Sequence, residues 1–406
     1  MSRSGSQWTQ RPSLPPSHYV DARLYTDERL FAEEKERIFA SSWFVACHQS
    51  ELPKRGDFRT VAHPAGANLV VVRGDSGPRA FYNVCPHRGN TIVYEPAGNG
   101  ASLTCIFHQW SFDTQGRCIG IPREREGYQE RLCKADFGLR AVRTEVDFGG
   151  FVWVNLDDRA ESLADYIGEA LDGMRGCLGS EPLEVFSFHR VIAHTNWKFW
   201  NDTNSEFYHD YIHYFNRQTS MLQQGYFERK YLPFRNGHVV VGDQIVEYEA
   251  YKGGENRTLT FPTLEPNQWK LTILFPGMAY NVRGSSMRVD SVVPLAPGKV
   301  AIEYRGLGLL RDTPAERALR IRDYNSIWGP FGRNLHEDQL AVHGQGLARG
   351  SGQTFIVQAR EENDTIHDEV GMRAFYAEWS RRMGRQAHDP YPLPQLDAPL
   401  IAEYLS

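Results

Sequence analysis

Long hydrophobic runs are missing from this 406-residue chain. No window reaches the roughly 18 consecutive apolar residues that a spanning helix needs, so no membrane span is expected. The opening stretch, MSRSGSQWTQRPSLPP, holds no apolar core of the kind a secretory signal requires, and the expected location is the cytoplasm. A basic excess is missing too. Lys and Arg number 45 against 50 Asp and Glu, a net charge of −5, which speaks against a nucleic-acid partner. Cysteine is scarce: Cys47, Cys85, Cys105, Cys118, Cys133 and Cys177 are too few, in a cytosolic chain of this length, to read as a disulfide framework. No G-x-G-x-x-G follows a strand-like run and no flavin signature occurs, so redox chemistry here would need an external electron donor. Internal repeats and low-complexity linkers are also absent.

What remains is the composition of an ordinary globular protein, long enough that two domains are expected. Residues 27–40, DERLFAEEKERIFA, carry Leu30, Phe31, Ile38 and Phe39 on a helical stripe. From about 43 to 156 the texture is short β runs with turns: NLVVVRG (68–74), RAFYNVC (79–85), WSFDTQGRCIGI (110–121) and GGFVWVNL (149–156), with a hairpin turn at Thr114-Gln115-Gly116. Residues 162–178 read as a helix and 183–195 as a strand. Strand runs follow across 237–309, including GHVVVGDQIVEYEAY and RTLTFPT. Helices are expected over 314–347, broken at Gly329-Pro330, and over 368–384. The fold class is therefore α+β, a compact antiparallel β domain preceding a second domain built on a large antiparallel sheet.

Two constellations carry chemistry. The first is Cys85-Pro86-His87 followed, after 17 residues, by Cys105-Ile106-Phe107-His108. Each half is a tight loop between β runs, so two thiolates and two imidazoles can converge from two hairpin tips. Zinc would accept such a set, although zinc fingers usually place one pair on a helix. C-x-H with C-x-x-H is otherwise the ligand pattern of a Rieske [2Fe–2S] centre, where two His on one iron raise the potential. Pro86 stiffens the first loop, and Gly89 and Gly116 permit close backbone approach.

The second constellation lies in NWKFWNDTNSEFYHDYIHYFNR (196–217), with Asn196 as N-cap. On an unbroken helix Asp202, Glu206, His209 and His213, spaced by four, three and four, share one face. A mononuclear oxygen-activating iron takes two His and one carboxylate, leaving positions open. One helix cannot wrap a metal, so a third ligand must come from elsewhere. NLHEDQLAVHGQG (334–346) offers His336, Glu337, Asp338 and His343.

The strings CPHRGN and CIFHQWSFDTQG resemble the Rieske loops of ring-hydroxylating oxygenase large (alpha) subunits, and the likeness runs along nearly the whole chain, from YTDERLFAEEKERIF to the C-terminal helix. That resemblance implies a Rieske domain at 43–156 inserted after an N-terminal segment, 1–42, that packs on a helix-grip catalytic domain at 157–406. It implies that Cys85 and Cys105 bind one iron of the cluster and His87 and His108 the other. It further implies a mononuclear Fe(II) on His209, His213 and Asp338, and Glu206 as the acid joining a Rieske histidine of one subunit to an iron-ligand histidine of the next. Asn201 and Asp202 are weaker supporting candidates. Many members separate the two histidines by four residues. Here only Asp210, Tyr211 and Ile212 intervene, a spacing suited to an unbroken α-helix.

The implied activity is hydroxylation of an organic substrate with O₂ and NAD(P)H electrons, delivered by a separate ferredoxin or reductase to a homotrimer with or without a small second subunit. The texture is closest to subunits acting on aromatic acids. The alternatives are a monooxygenase of a small non-aromatic acid, sulfonate or quaternary amine, and, from another class, an electron carrier or zinc-stabilised binding module. Phe207, Tyr211, Phe275, Met278 and Tyr280 are the aromatic and aliphatic candidates for a pocket lining, most of them expected to be plain core. Arg283 and Arg288 are the candidate clamps for a substrate anion.

Overall fold

The computed structural model describes residues 8–129, 131–222, 224–245, 258–265, 268–361 and 366–391. The expected strand runs 237–251 and 257–263 therefore fall partly outside the described residues, as does the start of the N-terminal tail; Val239–Ile245 is a strand, whereas 258–263 forms bends and a turn instead of the expected strand.

The first half is built on a seven-stranded antiparallel sheet. Its strands lie in the order Phe44–His48, Phe151–Asn155, Ala141–Asp147, Gly77–Tyr82, Asn68–Gly74, Asp57–Ala62 and Ala97–Asn99. The Val-rich run 68–74 is a strand over its full expected length because it lies between two partners and buries Leu69 through Val72. A small three-stranded sheet, Leu103–Thr104, Ser111–Phe112 and Cys118–Gly120, carries the loop with Cys105 and His108. Its turn is closed by the Gly116 N–H donating to the Asp113 carbonyl at 2.9 Å. Gly116 adopts φ +79°, and an added Cβ would sit 2.4 Å from the Phe81 ring, so only glycine fits there. Gly89 shares the left-handed backbone at φ +73° but faces no close neighbour. The expectation of close approach holds for Gly116 and not for Gly89.

The second half carries another seven-stranded antiparallel sheet, in the order Leu183–Ala193, Lys299–Leu309, Ser286–Ala296, Met278–Arg283, Gln268–Leu274, Val239–Ile245 and Tyr231–Pro233. Helices Pro314–Trp328, Leu335–Ala348 and Val370–Met383 accompany it, the first two separated at Gly329-Pro330. The stretch 162–178 is not one helix. It divides into Leu163–Ile167 and Asp172–Leu178, because Gly168 turns to φ +54° and ends the first piece.

A shared core joins the two sheets. Phe44, Phe151 and Trp153 from the first pack with Met278, Tyr280 and Val282 from the second. Truncating any one of the large aromatics to Ala costs about 3–5 kcal/mol. The N-terminal segment is laced to the second half at several places. Tyr19–Asp21 pairs with Phe355–Val357. Glu34, fully buried on helix Glu28–Arg37, accepts from Lys198 Nζ at 2.7 Å, Trp197 Nε1 at 2.9 Å and Trp379 Nε1 at 2.8 Å. These contacts anchor the start of helix Trp197–Asn204, from which the second constellation hangs.

Candidate iron centres

The two Cys/His loops are near copies of each other. Cys85 N–H donates to the Asn90 carbonyl and Gly89 N–H to the Cys85 carbonyl. Cys105 N–H donates to the Trp110 carbonyl and Gln109 N–H to the Cys105 carbonyl. Gly89 at φ +73° and Gln109 at φ +57° hold equivalent left-handed positions. Each loop therefore sends its cysteine inward and its histidine to the rim: Cys85 and Cys105 are 2% and 1% exposed, whereas His87 and His108 are only partly covered. The His87 and His108 rings lie 4.6 Å apart, and His87 stacks on Trp110 at 4.7 Å. His87 Nδ1 is buried without a hydrogen-bond partner among the described residues, a lone pair turned inward. Two buried sulfurs beneath two clustered imidazoles fit a [2Fe–2S] group, which Cys85 and Cys105 would hold from the inside and His87 and His108 from the rim.

At the second constellation the expected unbroken helix is not formed. Helix Trp197–Asn204 stops, Ser205 to Phe207 run outside it, Tyr208–Ile212 is a 3-10 turn, His213 is extended, and Tyr214–Gln218 is a new helix. One local side-chain contact and one tertiary approach accompany the break. Glu206 Oε2 accepts the His209 amide N–H at 3.0 Å, starting the tighter turn, and the Ser205 carbonyl abuts Gly371 of the last helix. The break removes Asp202 from the face it was expected to share. Asp202 instead accepts from the Tyr25 and Tyr376 hydroxyls at 2.9 and 3.0 Å, and Asn201 donates to Ser205 Oγ. Burial pushes the Asp202 carboxyl up to about 7, against the hydroxyl donors.

His209, His213 and Asp338 do come together. Asp338 Oδ1 lies 3.1 Å from His213 Nε2 and 3.5 Å from His209 Nε2. Donor atoms in adjacent positions around one ion, with bonds of about 2.1 Å, stand about 3 Å apart, which both distances from Asp338 approach. Each ring is oriented by a glutamate. Glu206 Oε1 is 2.8 Å from His209 Nδ1, and Glu337 Oε2 is 2.7 Å from His213 Nδ1 while its Oε1 accepts the Tyr214 N–H. A carboxylate only accepts, so both Nδ1 atoms carry a proton, and both Nε2 atoms are turned to Asp338, where a metal ion would replace any proton they hold. Burial lowers the basicity of both rings. The Glu206 charge outweighs it at His209, raising it to about 10, and Asp338 does the same at His213, raising it to about 9.

The residues weighed beside Asp338 in its segment point elsewhere, which leaves Asp338 and Asp210 as the carboxylates nearest the two rings. Glu337 is an orienting acid, His336 Nδ1 bonds the Gly332 carbonyl, and His343 sits near His194. Asp338 is brought in by helix Leu335–Ala348, which approaches so closely that a Cβ on Gly346 would lie 1.9 Å from the His194 carbonyl oxygen.

Sequence reasoning missed Asp210, whose Oδ1 is 3.6 Å from His213 Nε2. A 3-10 turn eclipses residues three apart, a geometry hidden by reading the segment as α-helix. It also missed Arg229, which lies in the charged run FERKY.

A cavity of about 70 Å³ opens beside these groups. Its walls include Phe207, Tyr226, Trp269, Arg229, Arg283 and Arg288. The Arg229 guanidinium lies 4.0 Å from the Tyr226 ring centroid and 4.8 Å from that of Trp269. Arg288 pairs with Asp290 at 2.8 Å and donates to Asn204. Of the five apolar candidates only Phe207 borders the cavity. Phe275, Met278 and Tyr280 are core, because alternation along Met278–Arg283 turns Met278 and Tyr280 to the shared core and Asn281 and Arg283 to the cavity. Tyr211 is exposed.

Residues 42–141 match the Rieske [2Fe-2S] domain, and residues 181–385 match the catalytic domain of ring-hydroxylating alpha subunits. The chain is 52% identical to the methanesulfonate monooxygenase hydroxylase subunit alpha of Methylosulfonomonas methylovora, across 98% of this chain and 99% of that one. It is 43% identical to the 2-aminobenzenesulfonate 2,3-dioxygenase subunit alpha of Alcaligenes sp, across 96% and 99%. Naphthalene 1,2-dioxygenase from Rhodococcus sp. shares the fold with a TM-score of 0.79 at 20% identity, across 92% of this chain and 95% of that one. Fold, paired metal-binding constellations and relatives agree: the chain belongs to the Rieske oxygenase alpha subunits, oxidoreductases with mixed α+β architecture. It is the terminal component of a multimeric system working with a reductase or ferredoxin. It uses a Rieske [2Fe–2S] cluster, a mononuclear iron, O₂ and electrons originating in NAD(P)H to hydroxylate an organic substrate. No helix among the described residues is long and apolar enough to cross a membrane.

Proposed function

We propose that this subunit hydroxylates a small organosulfonate. The observation that carries the reading is the cavity itself: about 70 Å³, walled by Arg229, Arg283 and Arg288, and bordered by His209, His213 and Asp338. Pockets for drug-sized ligands run to several hundred Å³. This one suits a few heavy atoms with a strongly anionic head, for which planar guanidinium forks are good hosts. Both relatives named above act on sulfonates, which supports the choice of anion.

On this reading Cys85 and Cys105 hold one cluster iron, His87 and His108 the other, and His209, His213 and Asp338 hold the mononuclear iron. The cluster supplies single electrons, and the mononuclear iron is the site of oxygen activation. The chain's own groups do the rest. Glu206 and Glu337 keep Nδ1 protonated and the rings aimed. The arginines fix the anionic head so that one C–H faces the metal. Phe207, Trp269 and Tyr226 limit water. Hydroxylation at the carbon bearing sulfur would consume O₂, two electrons and two protons, giving an α-hydroxysulfonate and water.

The division into 1–42, 43–156 and 157–406 belongs to the same reading, as does a head-to-tail homotrimer. Ile106 and Phe107 are 63% and 58% exposed beside the Rieske histidines, and Tyr208, Tyr211 and Tyr214 are 46%, 48% and 58% exposed around His209. Two such apolar rims, one at each centre, support contact between copies. Glu206 would then join His209 to a Rieske histidine of the next subunit.

An aromatic sulfonate or carboxylate is the second reading, favoured by the aromatic walls. Purified enzyme, reductase and ¹⁸O₂ separate them. Methanesulfonate should drive O₂ uptake and place one labelled oxygen in the product. Uptake coupled only to an aromatic acid, with two labelled oxygens, would replace the first reading by the second.

A further inference from the structure

The two ligand loops are alike in backbone but not in what faces their sulfurs. Cys85 Sγ meets the backbone N–H groups of His87 and Arg88, and Cys105 Sγ those of Phe107 and His108. Among the described residues, Cys105 and not Cys85 receives a side-chain amide donor as well: Asn90 Nδ2 lies 3.8 Å from its sulfur. Asn90 stands at the end of the other loop, where its carbonyl accepts the Cys85 N–H at 2.8 Å. Its second amide proton goes to the Thr91 carbonyl at 2.8 Å, and its Oδ1 accepts the Tyr94 hydroxyl at 3.3 Å. All three polar functions of the side chain are thus committed, and the rotamer that aims one N–H at Cys105 is held from two sides.

We propose that Asn90 sets the reduction potential of the Rieske cluster by donating to the Cys105 sulfur, with Tyr94 holding the amide in place. The inference rests on Cys105 being a cluster ligand. Reduction adds one electron to the cluster, and the added charge is shared with the thiolate sulfurs. A donor aimed at one of them stabilises the reduced form more than the oxidised form and so raises the potential. The effect acts on driving force for electron delivery and needs no contact with substrate.

The test is a potentiometric titration of the full-length holoprotein, following the cluster by absorption and by the EPR signal of its reduced form. Asn90→Ala should lower the midpoint by up to tenfold in the one-electron equilibrium, about 59 mV. Tyr94→Phe, which leaves the exposed ring and the ligands untouched, should lower it in the same direction by less. Unshifted midpoints in both variants, with normal spectra, would overturn the proposal. So would loss of the cluster in Asn90→Ala together with an unshifted Tyr94→Phe, since Asn90 would then be only a brace between loops. Failure of the underlying ligand assignment reads differently: Cys105→Ala would keep the wild-type cluster spectrum.

Discussion

Replacing Glu34 by Gln should cost this protein far more than one hydrogen bond. The Glu34 carboxylate is 0% exposed and faces Lys198, also 0% exposed, at 2.7 Å, with two indole N–H groups completing its partners. Glutamine keeps the shape and can still accept, but it leaves the ammonium buried beside a neutral amide. Breaking a buried pair from one side costs about 3–5 kcal/mol. At roughly 2–4 °C per kcal/mol for a domain of 150–250 residues, the melting temperature should fall by about 6–20 °C. Burial lowers the Lys198 pKa even with Glu34 opposing it. Without Glu34 the neutral amine is favoured further, so the deficit should be largest at low pH and shrink as pH rises toward the ordinary lysine value. Glu34→Gln with Lys198→Met removes both charges and should recover most of the loss. Differential scanning fluorimetry at several pH values, with iron counted per chain, is the assay. Because Lys198 opens the helix leading to His209, mononuclear iron should be lost before the cluster spectrum changes. A Glu34→Gln melting point within a degree of wild type would refute the account.

Asp338→Ala should abolish mononuclear iron while leaving the cluster absorption intact, and retained hydroxylation would withdraw Asp338 from the ligand set. Glu206→Gln should keep both metals yet block turnover, and a normal single-turnover rate of cluster oxidation would remove it from the electron path. Asp202 has a folded-state pKa of about 7 against 3.8 for the free group, so its contribution is most favourable below 3.8 and is lost as pH rises through 7. The loss is on the order of 4 kcal/mol, and Asp202→Asn should flatten stability between those limits in denaturant titrations.

How much of this was readable beforehand depends on what kind of force sets each feature. The Rieske loops were legible because ligand spacing and turn chemistry are local: C-x-H, C-x-x-H and the Gly116 turn all act within a few residues. The strand at 68–74 was legible because its β-branched run leaves no competing structure. The helix at 196–217 was misread because periodicity cannot report that Glu206 will take the His209 amide or that Gly371 will arrive against Ser205. The choice of Asp338 over Glu337 needed the resemblance, since adjacent acids on a helix differ only in which way the tertiary fold turns them. Arg229 gave no signal at all: a cation in a charged run is ordinarily solvent-facing, and only folding places it among Tyr226, Trp269 and Phe207.

The paired glutamates behind His209 and His213 have a biological corollary. With both rings already locked, three donors stand ready before any ion arrives, and little ordering entropy opposes capture. Two nitrogens and an oxygen do not by themselves favour ferrous ion, which sits low in the divalent series, and zinc or copper would bind such a triad more tightly. Raw affinity alone would then misload the site, and the metals available when the chain folds become part of what decides its occupant. Heterologous preparations grown in zinc-rich medium should come out red from the cluster and yet inert.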